Sequence, residues 1–191
     1  FITEASKLAF ADRNKYLADQ DFIDIPVNTL LDPGYLLKRS KLITKSKTMG
    51  KAKAGRIKYK NSERLTKHQS NEGKSTSHFS IVDSEGNAVS MTSSVENAFG
   101  SRILVRGFLL NNQLTDFSFW PTINGKPVAN RVQPNKRPRS SMSPILVVDG
   151  SGKFLMAIGS PGGSRIIGYV AKTLIATLDW KMNIQAAIDL P

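Results

Sequence analysis

The chain has 191 residues, of which 40% are hydrophobic and 22% charged, so it is long enough for a substantial core and has the composition of a folded domain. No apolar run approaches the ~20 residues that a membrane-spanning helix needs. The absence of cysteine excludes a disulfide framework, a thiolate zinc site and a cysteine nucleophile. Because the sequence begins at Phe1 inside a helical pattern, without an initiator Met, we expect both ends to be cut.

The net charge of +12 is concentrated in one segment of the chain. Between Lys45 and Lys74, ten Lys or Arg and two Glu give a local balance of +8, and large apolar residues are few. Such a segment is typical of a solvated linker or mobile loop. The alternative is a basic module that binds nucleic acid or another anionic surface, but no aromatic residues alternate with the charges, so we expect no nucleic-acid partner.

Two helices are predicted ahead of this basic segment. Apolar residues from Phe1 to Leu17 recur with helical spacing, which indicates a helix with one face in the core. Asp32 and Pro33 provide a cap and a first-turn proline for a second helix. Its apolar pattern continues as far as Leu42 and Ile43, which predicts a helix of that length.

Beyond Thr76 the period of the pattern changes to two, which indicates strands. One strand is predicted to end at Val82, followed by a turn over 83–87 and a return strand from Ala88. The run at 107–110 does not alternate between apolar and polar residues, which predicts a strand buried on both faces.

The rest of the chain combines an irregular stretch with regular elements. Four prolines limit 117–139 to loop or edge structure. Two strands are predicted after it, at 145–148 and 154–158, followed by a glycine loop at 159–164. A helix is predicted at 166–178, and a short last helix begins after its cap, Asn183.

Hydroxyl and amide side chains are dense at the predicted strand ends, whereas histidine is present only at positions 68 and 78. With only two histidines, a Ser-His-Asp triad or a multi-histidine metal site is not favoured, and His78 is expected to be structural. A Thr with a free α-amino group needs no histidine, because that amine titrates near pH 8 and can act as the general base. Thr76 fits this design if the bond between Ser75 and Thr76 is cut.

Four successive stretches of the chain form recognisable motifs, namely TSHFSIVD at 76–83, GFLLNNQLTDFS at 107–118, PNKRPRSSMSP at 134–144 and GSPGGSR at 159–165. In this order they resemble signatures of the gamma-glutamyltransferase (gamma-glutamyltranspeptidase) family. The resemblance spans nearly the whole chain. Residues 1–75, two helices and the basic linker, are similar to the end of the large subunit, and residues 76–191 to the first part of the small, catalytic subunit.

The resemblance implies an α+β protein, part of the αββα sandwich of an N-terminal nucleophile hydrolase, in which antiparallel sheets are flanked by helices. The protein would be a zymogen that cuts itself between Ser75 and Thr76 and whose two chains stay paired. Its activity would be transfer or hydrolysis of a gamma-glutamyl group, from a donor such as glutathione to an amino acid, a peptide or water. The resemblance implies neither a metal nor an organic cofactor, and it suggests a periplasmic or secreted location.

The resemblance also implies roles for individual residues. Thr76 would be the nucleophile, and Ser94 stands where the family commonly has a second Thr that bonds the nucleophile. The remaining roles would be binding of the donor's α-amino group by Gln113 and Asp116, binding of its α-carboxylate by Ser140 and Ser141, and an oxyanion hole formed by the amides of Gly162 and Gly163. These residue types suit their roles, because an ammonium group needs oxygen acceptors and an oxyanion needs fixed N–H donors.

Three departures from the family pattern keep alternatives open. Glu96, a further candidate for substrate binding, replaces an Asn and precedes Asn97, which resembles the acylase-like branch that accepts glutaryl-type side chains. The segment 119–133 contains no Tyr and is short for the Tyr-bearing lid of bacterial transferases. The Arg that binds the donor carboxylate would lie upstream of Phe1. A glutaryl or cephalosporin acylase-like amidohydrolase, or a family member without activity, is therefore the alternative within this fold.

Overall fold

The computed structural model describes residues 1–58 and 75–191. They fall into two compact units, one containing 1–58 and 114–139 and the other 75–113 and 140–191. Helices and antiparallel strand pairs give an α+β fold, as predicted. The predicted division between residues 75 and 76 concerns cleavage rather than packing, and it stays a prediction.

The described residues form helices, short strands and 3-10 turns. In chain order they are α1 (Ile2–Tyr16), α2 (Val27–Leu30), α3 (Pro33–Ser40), β1 (Thr76–Val82), β2 (Ala88–Ser94), β3 (Leu104–Val105), β4 (Phe108–Leu109), a 3-10 turn (Gln113–Asp116), β5 (Thr122–Ile123), β6 (Lys126–Pro127), β7 (Ile145–Val148), β8 (Phe154–Ile158), a 3-10 turn (Gly163–Arg165), α4 (Ile166–Leu178) and α5 (Ile184–Asp189). Among the described residues, none of the helices has the length and apolar character that a membrane span requires.

Helix α1 supplies much of the core of the first unit. Leu8, Ala11 and Tyr16 are buried along one face, and Tyr16 has no exposed surface. Ala11 lies three residues and Tyr16 eight residues after Leu8, which places each of them within about 80° of Leu8 around the helix. The prediction of a core-facing helix is confirmed.

The described part of the basic segment packs on α1. Asp12, itself buried, accepts a hydrogen bond from the backbone N–H of Gly55 at 2.7 Å, and the Tyr16 hydroxyl donates to the Gly55 carbonyl at 2.5 Å. Ile57 is buried beyond them. The prediction of a mobile loop is therefore wrong at residues 55–57, because side chains of α1 bind the backbone there, whereas most of residues 45–54 are exposed, as expected of a solvated linker. The remainder of the basic segment, 59–74, lies outside the described residues.

Helix α3 begins as predicted and ends early. The Asp32 carboxylate accepts from the Tyr35 N–H at 2.7 Å, which is the expected cap. The Ser40 hydroxyl donates to the Leu37 carbonyl at 2.9 Å, and the amides of Leu42 and Ile43 bond to carbonyls three residues back. The prediction that the helix continues to Leu42 is wrong, because this tightened turn ends it at Ser40.

Strands β1 and β2 form the main hairpin of the second unit. Seven pairs join them, from Thr76 opposite Ser94 to Val82 opposite Ala88. The Asp83 carboxylate closes the turn by accepting from the Asn87 N–H at 2.8 Å, and hydrogen bonds from Asn87 hold the pKa of this carboxyl below its usual value. The predicted hairpin and its turn are confirmed.

The predicted strand at 107–110 is much shorter and less buried than expected. Only Phe108 and Leu109 form a strand, β4, which pairs with β3 in a two-stranded ribbon. Phe108 is 60% exposed. The prediction of burial on both faces is wrong, because a ribbon of two strands leaves its faces uncovered within this part of the chain.

The last elements follow the predicted order. Strands β7 and β8 pair around a turn held by the Asp149 carboxylate, and the Ser90 hydroxyl of β2 donates to the Ile158 carbonyl of β8 at 3.0 Å. Helix α4 buries Ile166 and Val170 in the core of this unit. The Asn183 side chain accepts from the Gln185 N–H at 2.9 Å, which confirms the predicted cap of α5.

Candidate active site

The register of the main hairpin places Thr76 directly opposite Ser94. Side chains on one strand alternate between the two faces, and Thr76, His78 and Ser94 are half-buried while Ser77 and Ser93 are exposed. The Thr76 hydroxyl donates to the Ser94 oxygen at 3.5 Å. The pairing of these two hydroxyls follows from strand alternation and register alone.

The Ser94 hydroxyl connects three groups around the bond between Ser75 and Thr76. Its oxygen accepts from the Glu96 N–H at 2.9 Å and lies within reach of the Thr76 hydroxyl. Its single proton is donated to the carbonyl oxygen of Ser75 at 3.1 Å. A donor at this carbonyl polarises it and stabilises the negative charge that would develop if a nucleophile attacked its carbon.

Glu96 is held in a special backbone conformation beside these residues. Its φ of 74° is in the left-handed region, which is uncommon for a residue other than Gly. Its carboxylate is buried and accepts from the Asn112 side-chain amide at 2.7 Å, while the Ser75 N–H donates to its carbonyl at 3.3 Å. Glu96 thus bonds to Asn112 through its side chain and to Ser75 through its backbone.

Asn112 is a residue of this site to which the sequence assigned no role. Besides binding Glu96, its side-chain oxygen accepts from the Asn97 N–H at 3.0 Å, and its own N–H donates to the Val95 carbonyl at 3.2 Å. The feature of the sequence that could have indicated Asn112 is its position in the NNQ stretch, next to Gln113, which is predicted to bind the donor. Asn112 ties that stretch to the end of β2.

Gln113 and Asp116 begin and end one 3-10 turn. Gln113 is half-buried, and its N–H donates to the Asn111 side chain at 3.0 Å. Asp116 is buried and belongs to the first unit, where its backbone carbonyl accepts from the Asn130 side-chain amide at 2.8 Å. The turn is therefore fixed at both of its ends.

Ser140 and Ser141 follow a strongly anchored segment. Ser140 is exposed, and its hydroxyl oxygen accepts from the Met142 N–H at 3.1 Å. Ser141 is buried, and its carbonyl accepts from the Ser143 hydroxyl at 3.0 Å. The two hydroxyl side chains thus differ in exposure and lie in a segment without helix, strand or turn.

Three basic side chains hold the segment that precedes Ser140. The Arg137 guanidinium donates two hydrogen bonds to Asp19, at 3.0 and 2.6 Å, and the N–H of Arg137 adds a third at 2.8 Å. These bonds hold the pKa of the Asp19 carboxyl far below its usual value. Lys136 is buried and donates to the Ala129 carbonyl at 2.6 Å, and burial lowers its pKa to about 8. The Arg139 guanidinium donates to the Arg13 carbonyl at 3.1 Å.

The glycine loop enters α4 through two residues with positive φ. Gly162 has φ 133° and Gly163, which is buried, has φ 57°. A β-carbon on Gly162 would lie 2.9 Å from the Tyr169 ring, so this position needs Gly for space as well as for conformation. N–H groups at the entry of a helix are suited to binding a negative charge.

His78 has the structural environment that was expected of it. Its two ring nitrogens lie 2.9 Å from the Thr92 hydroxyl and 3.1 Å from the Ser80 hydroxyl. A β-carbon on Gly159 would overlap the ring, so the imidazole packs directly on the start of the glycine loop. A cavity of about 480 Å³ lies beside it, between the inner face of β1 and helices α4 and α5.

The predicted site residues thus fall into three groups. Hydrogen bonds join Ser75, Thr76, Ser94 and Glu96. Other members of the second unit are Gln113, Ser140, Ser141, Gly162 and Gly163, and Asp116 belongs to the first unit. The roles of these residues stay predictions.

Comparisons with known proteins agree with the four sequence signatures. The family model for gamma-glutamyltranspeptidase matches residues 1–191. A glutathione hydrolase proenzyme of Escherichia coli (strain K12) is 40% identical over 201 residues, a match that covers 100% of this chain and 32% of the relative. An acylase ACY 1 proenzyme of Pseudomonas sp. (strain SE83) is 30% identical over 196 residues, covering 100% of this chain and 31% of the relative.

Solved structures give the same result for the fold. Gamma-glutamyltranspeptidase from Pseudomonas nitroreducens has a TM-score of 0.53 at 40% identity, covering 59% of this chain and 62% of that chain. The present chain spans about a third of the length of the curated relatives that it matches.

Proposed function

Because the chain belongs to the gamma-glutamyltranspeptidase family, we propose that its whole protein is a precursor that cuts itself between Ser75 and Thr76 and then uses Thr76 to transfer or hydrolyse gamma-glutamyl groups. One observation carries the proposal. The Ser94 hydroxyl bonds the Ser75 carbonyl at 3.1 Å and lies 3.5 Å from the Thr76 hydroxyl, so electrophile, nucleophile and stabilising donor occur at one peptide bond.

The self-cleavage step balances without an added reagent other than water. The Thr76 hydroxyl oxygen bonds to the Ser75 carbonyl carbon, the peptide C–N bond breaks, and the hydroxyl proton passes to the leaving nitrogen. Ser94 stabilises the oxyanion during this step. Water then hydrolyses the resulting ester, which leaves a carboxylate on Ser75 and a free amine and hydroxyl on Thr76.

In turnover, the freed α-amine of Thr76 accepts the proton of its own hydroxyl, which attacks the donor's gamma-carbonyl. The amine leaving group departs, and an acyl-enzyme ester with Thr76 remains. The N–H groups of Gly162 and Gly163 stabilise the oxyanion in both halves of the reaction. An amino acid, a peptide or water then takes the acyl group and restores Thr76.

The donor's charged ends are bound by the other predicted residues. Gln113 and Asp116 accept hydrogen bonds from its α-ammonium group, and Ser140 and Ser141 donate to its α-carboxylate. Glu96 adds a buried carboxylate, held by Asn112, that favours an ammonium-bearing donor electrostatically. Glutathione has such a gamma-glutamyl group and is the donor we propose.

The acylase reading is the second candidate, since an acylase proenzyme is among the relatives. The resemblance at Glu96 and Asn97 favours this candidate, but a glutaryl group lacks the α-ammonium group and would not interact with the proposed ammonium-binding residues. A paired assay of the full-length enzyme separates the two candidates. Release of amine from a gamma-glutamyl 4-nitroanilide, exceeding that from a glutaryl 4-nitroanilide, is the expected result. Activity on the glutaryl compound alone would establish the acylase instead.

The finer architecture is also part of the proposal. The outer face of the main hairpin carries Phe79, Ile81, Val89 and Met91, which are 44 to 57% exposed in the described part of the chain. Water contact with such a row of apolar side chains is unfavourable. We propose that a second sheet of the whole protein covers this face and completes an αββα sandwich, with 1–75 and 76–191 on separate, paired chains after cleavage. A periplasmic or secreted location fits the family resemblance.

A basic module that binds anionic surfaces is the rival from another class. The excess of Lys and Arg in the basic segment favours this candidate, but the described part of that segment is bonded to α1 through Asp12. Binding to random DNA would be measured across a salt series. We expect no binding with a steep salt dependence, and a steep loss of affinity with added salt would support the rival.

A further inference from the structure

Asn130 joins two backbone segments that lead to opposite halves of the proposed donor site. It is 2% exposed. Its side-chain N–H donates to the Asp116 carbonyl at 2.8 Å, and its side-chain oxygen accepts from the Arg139 N–H at 2.9 Å. Its own carbonyl accepts from the Ser118 N–H at 2.8 Å. One amide therefore bridges residues that lie 14 positions before it and nine after it.

Each of the two bridged positions is at, or next to, a residue proposed to bind a charged group of the donor. Asp116 would bind the α-ammonium group, and Arg139 directly precedes Ser140, which would bind the α-carboxylate. This relation rests on the proposed function. Both charged groups are attached to one carbon atom of the donor, so the spacing of the residues that bind them has little tolerance.

An amide is suited to such a bridge because it offers a donor and an acceptor at the end of one side chain. Asp in its ionised form could accept from Arg139 but could not donate to the Asp116 carbonyl. Leu, of similar shape, could do neither. Removing the amide would leave a buried carbonyl and a buried N–H without these partners, which is unfavourable.

The side of the bridge at Arg139 is fixed by further contacts. The Arg139 guanidinium donates to the Arg13 carbonyl, and Arg137 is bonded to Asp19. The side at Asp116 is fixed by its 3-10 turn. We propose that Asn130 is a positioning residue that holds the backbone of Asp116, the proposed ammonium-binding residue, and of Arg139, the residue before Ser140, at a fixed spacing.

The test compares three 4-nitroanilide donors on the full-length, processed enzyme. One is the gamma-glutamyl compound, with both charged groups. The second is the glutaryl compound, which lacks the ammonium group, and the third is the 4-aminobutanoyl compound, which lacks the carboxylate. For Asn130→Leu, we expect kcat/KM of the first to fall about 10- to 100-fold, mainly through KM. The other two should change less than about threefold, since each binds through one half only.

Ser118→Ala is the matched control. Ser118 is buried and its hydroxyl donates to the Trp120 carbonyl at 2.8 Å, so the variant loses a partly buried hydrogen bond while its backbone N–H still donates to the Asn130 carbonyl. It should keep the wild-type ratio of kcat/KM among the three donors. If Asn130→Leu gives no processed protein, Asn130→Asp, which keeps the acceptor for Arg139, is measured in the same three assays.

The possible failures are distinguishable. Equal losses on all three donors, or no loss on any, would overturn the role of Asn130 while leaving the proposed function intact. A wild-type enzyme that is inactive on the gamma-glutamyl donor would overturn the proposed function and the inference with it.

Discussion

The two compact units hold their candidate site residues by different kinds of contact. In the second unit, strand pairing sets Thr76 opposite Ser94, and the two hydroxyls are 18 residues apart in the chain. In the first unit, the segment leading to Ser140 is held by Arg137, which binds Asp19 from 118 residues away. The nucleophile thus depends on local backbone geometry, whereas the proposed donor site depends on long-range polar contacts between side chains and backbone.

The largest effect on the hairpin is expected from Ser94. Ser94→Ala in the full-length precursor should slow cleavage between Ser75 and Thr76 about 10²- to 10³-fold, because it removes the donor to the scissile carbonyl. Ser94→Thr keeps the hydroxyl and should cleave at close to the wild-type rate. A time course of intact mass measures both. Cleavage of Ser94→Ala at the wild-type rate would show that this hydroxyl is not the stabilising donor.

The glycine loop tests whether local backbone geometry also controls turnover. Gly162→Ala is expected to lower kcat about 100-fold, since the methyl group would meet the Tyr169 ring and displace the amides of the loop. Gly86→Ala is the control, because Gly86 also has a positive φ, 86°, but open space around it on the hairpin turn. Equal kcat values for the two variants would remove Gly162 from the proposed oxyanion hole.

The long-range contacts of the first unit should show up in stability. Arg137→Met leaves the Asp19 carboxylate, whose side chain is 1% exposed, without its guanidinium partner, so Tm should fall. Asp21→Asn removes only an exposed contact of the same Arg and should lower Tm much less. The double variant Arg137→Met with Asp19→Asn should recover part of the loss. Equal Tm values for wild type and Arg137→Met would contradict the role of this ion pair.

A smaller effect is expected from Glu4, and it depends on pH. Hydrogen bonds from Lys7, Met49 and Thr48 lower the pKa of Glu4 from 4.5 to about 2. Since the folded state holds the charged form, its stabilisation is complete above pH 4.5 and is lost as the pH falls toward 2.

The corresponding measurement is the difference in Tm between wild type and Glu4→Gln. It should be constant from pH 7 to about 5 and shrink below that. Glu85→Gln, on the exposed turn of the main hairpin, is the control and should differ little from wild type throughout. A Tm difference that grows as the pH falls would show that the folded state does not favour the charged form of Glu4.

The same contrast explains what the sequence could predict. Elements that depend on neighbouring residues could be predicted from the sequence. These are the main hairpin, the cap of α3 and the helix that follows the glycine loop. The exposure of Phe108 could not be predicted, because burial depends on what covers a strand. The packing of Gly55 on Asp12 was hidden for a similar reason, since the charges around it indicated only solvent.

The bridging amides show the same limit within the candidate site. Asn112 and Asn130 bond backbone groups in other segments of their units, and no periodicity or spacing connects an amide with a distant carbonyl. The motif sequences located the residues with assigned roles. They did not indicate which neighbours hold those residues in place.

The central claim is most directly tested by intact-mass analysis of the full-length protein. Two chains are expected for the wild type, with the new N-terminus at Thr76, and a single uncut chain is expected for Thr76→Ala. A wild-type protein that remains one chain while releasing amine from a gamma-glutamyl amide would contradict this claim, as would cleavage at a different bond.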